Sequence, residues 1–409
     1  MRFAISVILI LTQVGAYATT PGDNIMAAPV TTIPVTFASP DSIPPLPSLP
    51  DSLTARPKRS GNIIQRIVAY FDDSNKEKKN KGFDFSIIGG PYYSSETKVG
   101  LGLVAAGLYH HSPSDSLLPP CNVSIYGNVS TAGFYEVGIR GYHIFPDDRF
   151  RLNYDLSFAS SRTKFWGIGY EEAIHDSNET KYVERSVKFT AEFMAKIGQS
   201  LYLGPSVEYV WVRAKDTEPV EVWKGLPLRT ASYGVGVAIN YDTRDVPTNA
   251  HRGVFVRIDQ RCYPRFMGND YAFSSTELTA AWYKRAWRGS VIASQLHALL
   301  TYNDTPWTMM ATVGGSRTMR GYYEGRYRDK GAIDIVVELR QHIWRRNSVV
   351  AWIGAGAVFD KPQNVRWRTI LPNFGIGYRW EFKKDVNVRL DFGVGRHTTG
   401  FVFSINEAF

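Results

Sequence analysis

The sequence predicts an all-β fold, a transmembrane antiparallel β-barrel of about 16 strands over residues 83–409. Three observations support this prediction. Apolar and polar residues alternate with a period of two from about Phe83 onward, several alternating segments run for about ten residues, and aromatic residues gather at segment ends. A tilted strand of about 9–11 residues is long enough to cross the hydrocarbon core of a bilayer.

The period of two is clearest in three segments. They are residues 150–159, 187–197 and 386–394. Successive side chains of a strand point to opposite faces of a sheet, so each segment has one apolar and one polar face. The polar faces carry full charges at strand centres, at Glu192, Arg389 and Asp391. A watery lumen accommodates such charges better than the surface of a soluble β-sandwich, which is the alternative with the same period.

Aromatic residues at the ends of segments are the third observation. They include Phe165-Trp166, Tyr209 with Trp211, Trp282-Tyr283 and Tyr378 with Trp380. Transmembrane barrels carry aromatic girdles at both membrane interfaces, and we expect these residues to lie there. Because no backbone donor can stay unpaired in hydrocarbon, the sheet must close on itself. At roughly 20 residues per strand and turn, about 16 strands fit.

Polar, less regular stretches separate the predicted strands. The longer ones lie near 171–182, 213–229, 263–274, 314–332 and 361–369. We expect these stretches to be the long outer loops of the barrel, because extracellular loops of such barrels are longer than periplasmic turns.

The first residues are typical of a signal peptide, which we place at 1–18. Arg2 precedes an apolar stretch, Phe3–Val14, and Ala16-Tyr17-Ala18 fits the small-x-small cleavage rule. The apolar stretch is short for a membrane span, which needs about 20 residues, so an N-terminal anchor helix is the weaker alternative. The leader predicts export and, with the barrel pattern, an integral protein of the bacterial outer membrane.

Between the leader and the barrel the composition changes twice. Residues 19–60 are rich in proline, which fixes φ and removes a donor, and they predict an extended or disordered periplasmic tether. Residues 61–82 predict a short amphipathic helix at 62–71 followed by a basic run at 76–81. Contact with anionic lipid headgroups and simple capping of the neighbouring domain both remain open for this segment.

The composition excludes several other classes of protein. The chain has 47 Lys and Arg against 38 Asp and Glu, a net charge of +9, and much of the excess lies in residues 56–81. The charge therefore does not indicate a nucleic-acid-binding surface. The two cysteines, Cys121 and Cys262, give neither a disulfide framework nor a zinc site, although they could form one bond if adjacent. We expect no metal and no cofactor.

The most specific motif is Gly314-Gly315-Ser316-Arg317-Thr318-Met319-Arg320-Gly321-Tyr322. Its second half, Met319-Arg320-Gly321-Tyr322, resembles the Val-Arg-Gly-Phe element of the BamA/TamA family of outer-membrane barrels, also called the bacterial surface antigen family. In that family the element lies on the sixth extracellular loop, which folds back into the lumen. The resemblance implies that Arg320 anchors such a loop to lumen carboxylates, because a guanidinium makes fixed bidentate bonds.

Other segments resemble the family in the same order along the chain. They are the first hairpin around 91–102, Phe165-Trp166-Gly167-Ile168-Gly169, the turn Tyr241-Asp242-Thr243-Arg244-Asp245, Glu338-Leu339-Arg340, and the last two strands, 388–393 and 401–409. The resemblance implies that Asp242, Arg244 and Asp245 form a family turn motif. It also implies that Phe409 is the C-terminal strand signal, and we expect Phe409 on the same face of the last strand as Phe401 and Phe403.

Two departures from the family pattern stand out. The family's assembly factors carry periplasmic POTRA domains of about 75 residues, whereas residues 19–82 are too short and too rich in proline and charge for one. We therefore expect a member that lacks POTRA domains. The second departure is Gly354, which stands where the family commonly has the aspartate that accepts the loop arginine. Glu338 and Asp391 are the expected substitutes for that acceptor.

The resemblance implies a role in the assembly or insertion of outer-membrane proteins. Its partners would be outer-membrane lipid and other assembly proteins or client barrels, and self-association stays open. The alternative is a non-catalytic structural or pore-type barrel. An enzyme is the least supported reading, because His397 and Ser404 lack a Gly-x-Ser-x-Gly elbow and the histidines show no repeated ligand spacing.

Overall fold

The computed structural model describes residues 83–109, 121–218, 221–223, 225–383 and 386–409. Within these ranges the chain forms a closed antiparallel barrel of 16 strands, which confirms the predicted fold class. The expected signal peptide, the proline-rich tether and the segment 61–82 lie outside the described residues. In the described ranges no helix is long and apolar enough to span a membrane.

The barrel strands follow one another along the chain. They are β1 Phe83–Ser94, β2 Lys98–Tyr109, β3 Cys121–Ser130, β4 Tyr135–Ile144, β5 Phe150–Phe165, β6 Thr180–Gly198, β7 Leu201–Lys215, β8 Arg229–Asp242, β9 Gly253–Tyr263, β10 Phe273–Arg285, β11 Ser290–Asn303, β14 Gly331–Trp344, β15 Asn347–Phe359, β16 Leu371–Lys383, β17 Val386–Gly395 and β18 Thr398–Ile405. A separate two-stranded hairpin consists of β12 Ala311–Val313 and β13 Tyr327–Asp329. The helical elements are α1 Tyr170–Ala173 and the 3-10 turns Pro146–Asp148, Asp176–Asn178, Glu221–Trp223, Arg265–Met267, Trp307–Met309, Pro362–Asn364 and Trp367–Thr369.

Each barrel strand pairs with its neighbour along the chain, apart from two places. Strand β11 pairs with β14, because β12 and β13 lie in the loop of residues 304–330, and β1 pairs with β18 to close the barrel. Most connections at one end of the barrel are long loops, and most at the other end are short turns. In outer-membrane barrels the long loops are extracellular and the short turns periplasmic.

The predicted outer loops all lie at the long-loop end, with shorter bounds than expected in four of the five cases. Strand β6 begins at Thr180 and β7 continues to Lys215. The predicted loops 171–182 and 213–229 therefore include residues that belong to strands. The polar sequence there misled the prediction, because a strand end at the membrane surface is as polar as a loop.

Strand β14 shows how the two faces of the barrel differ. Its outward side chains are apolar and exposed, as at Ile333 and Ile335, whereas Asp334, Glu338 and Arg340 point inward and are buried. The apolar face meets lipid and the charged face meets the lumen, as the period of two predicts.

The aromatic residues divide between these faces. Trp282, Tyr378 and Trp380 are exposed on the outer surface, as expected of a girdle. The expectation is wrong for Phe165-Trp166, which are 0% and 2% exposed. Phe165 ends β5 under the long loops, where its ring centroid lies 4.6 Å from that of Trp223 and 5.2 Å from that of Trp307. Tyr283 is likewise buried in the lumen.

The last residues of the sequence leave the barrel wall. Strand β18 ends at Ile405, and Asn406 has a φ of +69°, which turns the chain toward the lumen. There the Glu407 carboxylate pairs with Arg379 at 2.8 Å. Phe409 therefore does not continue the last strand on the face of Phe401 and Phe403. Its carbonyl accepts a hydrogen bond of 2.9 Å from Arg340 inside the barrel instead.

The seam between β1 and β18 is the least paired junction of the wall. Strand β1 pairs with β2 along all 12 of its residues. Within the described residues its register with β18 consists of Tyr93 opposite Phe403 and Ser94 opposite Val402. Strand β18 has 8 residues and then turns inward, so most of the outer edge of β1 faces no strand.

Candidate functional site

The loop of residues 304–330, which we call the lumen loop, folds back into the barrel as the family resemblance implies. Its hairpin β12–β13 packs with inward residues of β14 and β15 in a buried cluster that includes Val313, Tyr327, Val336 and Val358. The Met319-Arg320-Gly321-Tyr322 motif lies at the inner bend between the two strands of the hairpin. Its four residues meet inward side chains of strands β14 to β18.

Arg320 lies at the centre of the site and is completely buried. Its Nη1 donates to Asp391 Oδ2 on β17 at 2.7 Å, and its Nη2 donates to Glu338 Oε2 on β14 at 2.5 Å. Both acceptors suggested by the sequence thus contact Arg320. Removing one partner of a buried ion pair costs much more than the intact pair contributes, because it leaves a charge without compensation.

Two contacts of Arg320 involve residues that the sequence reasoning did not select. The guanidinium carbon lies 3.6 Å from the ring centroid of Trp352 on β15. The Arg320 carbonyl accepts a hydrogen bond of 2.6 Å from Asn373 Nδ2 on β16, and Asn373 Oδ1 accepts one of 2.8 Å from Trp352 Nε1. The period of two could have indicated Trp352 and Asn373 as lumen residues, because it places both on the inward faces of their strands.

Glycine is required where the motif touches the wall. Gly321 has a φ of +110°, a conformation that L side chains rarely adopt. A Cβ on Gly393 of β17 would lie 2.1 Å from the Arg320 carbonyl oxygen, and one on Gly400 of β18 would lie 2.9 Å from Gly321 Cα. The loop therefore contacts the backbone of β17 and β18 at distances that leave no room for a side chain.

The two residues that flank Arg320-Gly321 are also buried. Met319 is 0% exposed, and a Cβ on Gly356 of β15 would lie 3.1 Å from its terminal methyl group. The Tyr322 hydroxyl donates to the Pro372 carbonyl at 2.7 Å and accepts from the Arg396 backbone N–H at 2.7 Å. Tyr322 thus bridges β16 and the β17–β18 turn.

The acceptors of Arg320 belong to a larger charged network on the inward faces of β14, β16 and β17. Its ion pairs include Arg340–Glu338 at 3.1 Å, Arg379–Asp391 at 2.5 Å, Arg389–Asp391 at 3.4 Å and Arg379–Glu407 at 2.8 Å. Glu407 joins the network because the chain turns inward at Asn406. The sequence reasoning treated Glu407 only as part of a strand, and no local signal marked the turn.

Position 354, where the family aspartate is absent, lies on β15 two residues after Trp352. A Cβ there would lie 2.8 Å from the Ile335 carbonyl oxygen and 3.0 Å from Val336 Cγ2. The space around Gly354 is therefore already filled. Glu338 and Asp391 supply the carboxylates from β14 and β17 instead.

The predicted turn motif lies at the opposite end of the barrel, at the end of β8 and in the connection of residues 243–252 that leads to β9. Arg244 donates through Nε and Nη2 to the two carboxylate oxygens of Asp242, at 3.0 and 2.7 Å. Asp245 Oδ1 accepts from the backbone N–H groups of Val246 at 3.0 Å and His251 at 2.9 Å. Burial by itself raises the pKa of Asp245, but the backbone donors lower it by a larger amount. The pKa of Asp245 therefore lies below the usual range.

A second part of the lumen loop reaches the first hairpin. The Glu324 backbone N–H donates to Glu96 Oε1, in the β1–β2 turn, at 2.6 Å. Burial is the main cause that raises the pKa of Glu96 to about 7, the Glu324 N–H lowers it, and the Glu324 carboxylate raises it. The lumen loop is therefore attached to β17 and β18 through its motif and to β1–β2 through Glu324.

The other chemistry-bearing residues do not form a constellation. Cys121 is buried and Cys262 is exposed, and both are free thiols, so they do not form the bond that the sequence left open. In the ranges that the structure describes, no group of three or more His, Cys, Asp or Glu side chains could hold a metal ion. Ser404 donates to the Ile405 carbonyl at 3.5 Å, and His397 lies in the β17–β18 turn.

A closed 16-strand barrel with a loop arginine buried in its lumen defines a class of outer-membrane protein, and family comparison agrees. The model of the Omp85 superfamily domain matches residues 128–409, which is more than half of the chain. The chain therefore belongs to the Omp85 superfamily and is an integral outer-membrane barrel. This result confirms the family resemblance found in the sequence.

Solved structures show the same fold at low sequence identity. BamA from Haemophilus ducreyi lacking POTRA domains 1–3 is 11% identical with a TM-score of 0.57, and the match covers 80% of this chain and 71% of that chain. CdiB from Acinetobacter baumannii is 12% identical with a TM-score of 0.52, and the match covers 80% of this chain and 60% of that chain. CdiB from Escherichia coli is 9% identical with a TM-score of 0.53, and the match covers 84% of this chain and 70% of that chain. A comparison with curated proteins gave no match.

Proposed function

We propose that this barrel assists the assembly or insertion of outer-membrane proteins, and that client strands pair with the edge of β1 at the β1–β18 seam. The observation that carries the proposal is the short register of the seam, which joins Tyr93 to Phe403 and Ser94 to Val402. A strand edge with unpaired N–H and C=O groups is a natural template for strand addition. Membership of the Omp85 superfamily supports this role.

The upper end of the seam is held by a few contacts. The Phe401 backbone N–H donates to Ser95 Oγ at 3.0 Å, and the rings of Tyr93 and Phe401 lie 5.7 Å apart. Opening the seam requires the loss of two register pairs and these contacts, whereas opening β1 from β2 requires the loss of twelve pairs. The seam is therefore the junction that opens at the lowest cost.

The inward turn at Asn406 keeps the edge of β1 free. If the chain continued as a strand after Ile405, it would pair with β1 and close the seam. Glu407 opposes that closure, because its carboxylate is paired with Arg379 at 2.8 Å and accepts from Asn387 at 2.7 Å. We infer that the charged network holds these last residues in the lumen and so preserves a docking edge.

The lumen loop has contacts on both sides of the seam. Thr398 Oγ1 on β18 donates to the Gly321 carbonyl at 2.8 Å, and Glu324 contacts Glu96 next to β1. A cavity of about 570 Å³ lies beside the Glu324–Glu96 contact and is lined by Tyr93 and Val402 of the two seam strands. We infer that Arg320 fixes the position of the lumen loop beside the seam, so that a client strand can pack against the loop.

The sequence left a structural or pore-type barrel as the alternative. A wide steady pore is less well supported, because the lumen loop and residues 407–409 occupy the lumen. Planar-bilayer recording separates the two functions, since a large steady conductance favours transport over assembly.

A reversible disulfide across the seam tests the proposal. The variant Ser94→Cys/Val402→Cys joins two register partners of β1 and β18, with Cys262→Ser removing the exposed native thiol. It replaces the wild-type protein in a depletion strain, and quantitative proteomics measures all outer-membrane barrels. We expect barrel levels to fall under oxidising conditions and to recover on reduction.

The matched control carries the same chemistry away from the seam. Val137→Cys/Phe158→Cys joins register partners of β4 and β5, with Cys262→Ser again present. Normal barrel levels are expected for this control in both redox states. Unchanged levels of every other barrel after depletion of the protein, or after oxidation of the seam variant, would rule out the assembly role.

A further inference from the structure

Three arginines lie side by side on the outer surface of the barrel near the long-loop end. Arg185 on β6 is the register partner of Arg213 on β7, and Arg213 is the register partner of Arg229 on β8. All three are exposed, whereas Val212 and Ala214, the chain neighbours of Arg213, are buried in the lumen. We call these three residues the arginine row. Their side chains point away from the lumen.

The arginine row borders the aromatic part of the membrane surface. The next outward row on the same strands is Val187, Trp211 and Ala231, and the row after it is Phe189, Tyr209 and Tyr233. The rings of Tyr209 and Tyr233 are 4.9 Å apart. Tyrosine and tryptophan on a barrel mark the membrane interface, and two residues along a strand span about 7 Å. The arginine row therefore lies at the level of lipid headgroups.

The charges of the row are not compensated by the protein. In the part of the chain that the structure describes, none of the three arginines forms an ion pair with a carboxylate. Like charges on directly opposed residues of neighbouring strands are destabilising. A guanidinium group presents a planar fork of donors that fits the oxygens of a phosphate group. Three such forks in one row fit a ligand with more than one phosphate.

From these observations we propose that the arginine row binds the phosphate groups of a phosphorylated glycolipid in the outer leaflet of the membrane. The row lies at the long-loop end, which is extracellular in outer-membrane barrels, and beside lipid-facing aromatic residues that would contact the acyl chains. The proposal does not depend on the assembly function. In the strand order, β6–β8 lie about halfway around the barrel from the β1–β18 seam, so a bound lipid would contact the wall across from the edge of β1.

Lipid binding to the folded full-length barrel tests this proposal. The probe is purified bis-phosphorylated lipid A, and native mass spectrometry counts the lipids retained when the barrel is released from zwitterionic micelles that contain lipid A and phosphatidylcholine. We expect the wild-type barrel to retain lipid A in preference to phosphatidylcholine. The variant Arg185→Gln/Arg213→Gln/Arg229→Gln is expected to bind lipid A at least about tenfold more weakly.

A control variant removes the same charge from the other end of the barrel. Arg285 ends β10, Arg288 and Arg345 lie in short turns, and all three are exposed. Their replacement by glutamine is expected to change lipid A binding less than about twofold. Equal losses in both triple variants would overturn the proposal, because the effect would then be one of net charge. A wild-type barrel without preference for lipid A would overturn it as well.

A single variant and a competition with inorganic phosphate complete the test. If the triple variant fails to fold, the single variant Arg213→Gln, at the centre of the row, is expected to weaken binding by about threefold, and unchanged binding contradicts the proposal. Inorganic phosphate at about 10 mM is expected not to displace lipid A, because the aromatic rows contribute to binding through the acyl chains. Full displacement would indicate a site for soluble phosphate and would contradict the lipid assignment.

Discussion

The walls of the barrel on the two sides of strand β18 differ in how strongly they are cross-linked. On one side, strands β14 to β17 are joined to the lumen loop by Arg320, which is buried and bonded to Glu338 and Asp391. On the other side, β18 meets β1 through two register pairs. The barrel therefore places its most strongly cross-linked wall next to its weakest junction. The cross-linked wall confines the opening to the seam, because the lumen loop holds strands β14 to β17 in place when β18 separates from β1.

The strongest way to break this contrast is to remove the loop arginine. We expect Arg320→Ala to lower the free energy of unfolding by about 3–5 kcal/mol, because Glu338 and Asp391 each lose a buried cationic partner in a fully buried network. Urea unfolding of the barrel in lipid vesicles measures the change. Arg320→Lys is expected to recover only part of the loss, since an ammonium group lacks the planar fork. A loss below about 1 kcal/mol for Arg320→Ala contradicts the role given to the cluster.

A backbone contact supplies the next largest effect. Gly393→Ala would place a Cβ 2.1 Å from the Arg320 carbonyl oxygen, so the loop or β17 must shift, and we expect a loss of about 1–3 kcal/mol. Gly127→Ala on β3 is the control, because its Cβ would meet its nearest atom, the Glu136 carbonyl oxygen, at 3.7 Å. Equal unfolding free energies for the two variants would show that the lumen loop does not make the close backbone contact with β17 at Gly393.

The pH dependence of the seam side gives a smaller effect. Glu96 has a pKa of about 7 against a usual value of 4.5, so the folded protein keeps a proton that the unfolded chain has lost between these values. Stability contributed by protonated Glu96 is therefore lost as the pH rises from about 4.5 to 7. We expect the wild-type Tm to fall by roughly a few degrees between pH 5 and pH 8. Glu96→Gln should remove that part of the change, and an unchanged slope in this variant contradicts the assignment.

The smallest effect is expected at the other arginine motif. Arg244 pairs with Asp242 in a periplasmic turn, where their side chains are 16% and 24% exposed. A pair of this kind contributes about 0–1 kcal/mol, so Arg244→Ala should change the unfolding free energy by no more than that. A loss as large as that of Arg320→Ala would mean that burial does not separate the two motifs. The same urea titration serves both variants.

The sequence predicted the barrel, its approximate strand number and the motif at Arg320, because the period of two and the motif are local patterns. It also suggested Glu338 and Asp391, since inward positions follow from the alternation. Trp352 and Asn373 were missed because nothing along the chain says which inward residues of β15 and β16 lie at the height of Arg320. That height depends on the stagger of the strands, which is a property of the closed barrel.

The last residues of the sequence illustrate a different limit. The alternation around Phe401 and Phe403 predicts a strand that continues to Phe409, and the chain instead turns inward at Asn406. The turn is stabilised by the contact of Glu407 with Arg379, which is 28 residues away along the chain. Local pattern could not reveal a strand end determined by such a distant partner. The short seam, on which the proposed function depends, follows from that turn.

Hydrogen–deuterium exchange of the barrel in lipid vesicles measures how weakly the β1–β18 seam is closed. We expect peptides from residues 83–92 to contain amides that exchange at least about tenfold faster than those of β15, because their outer edge has no strand partner on β18. Equal protection of the two segments would mean that the seam is as firmly closed as the rest of the wall, and would contradict the account.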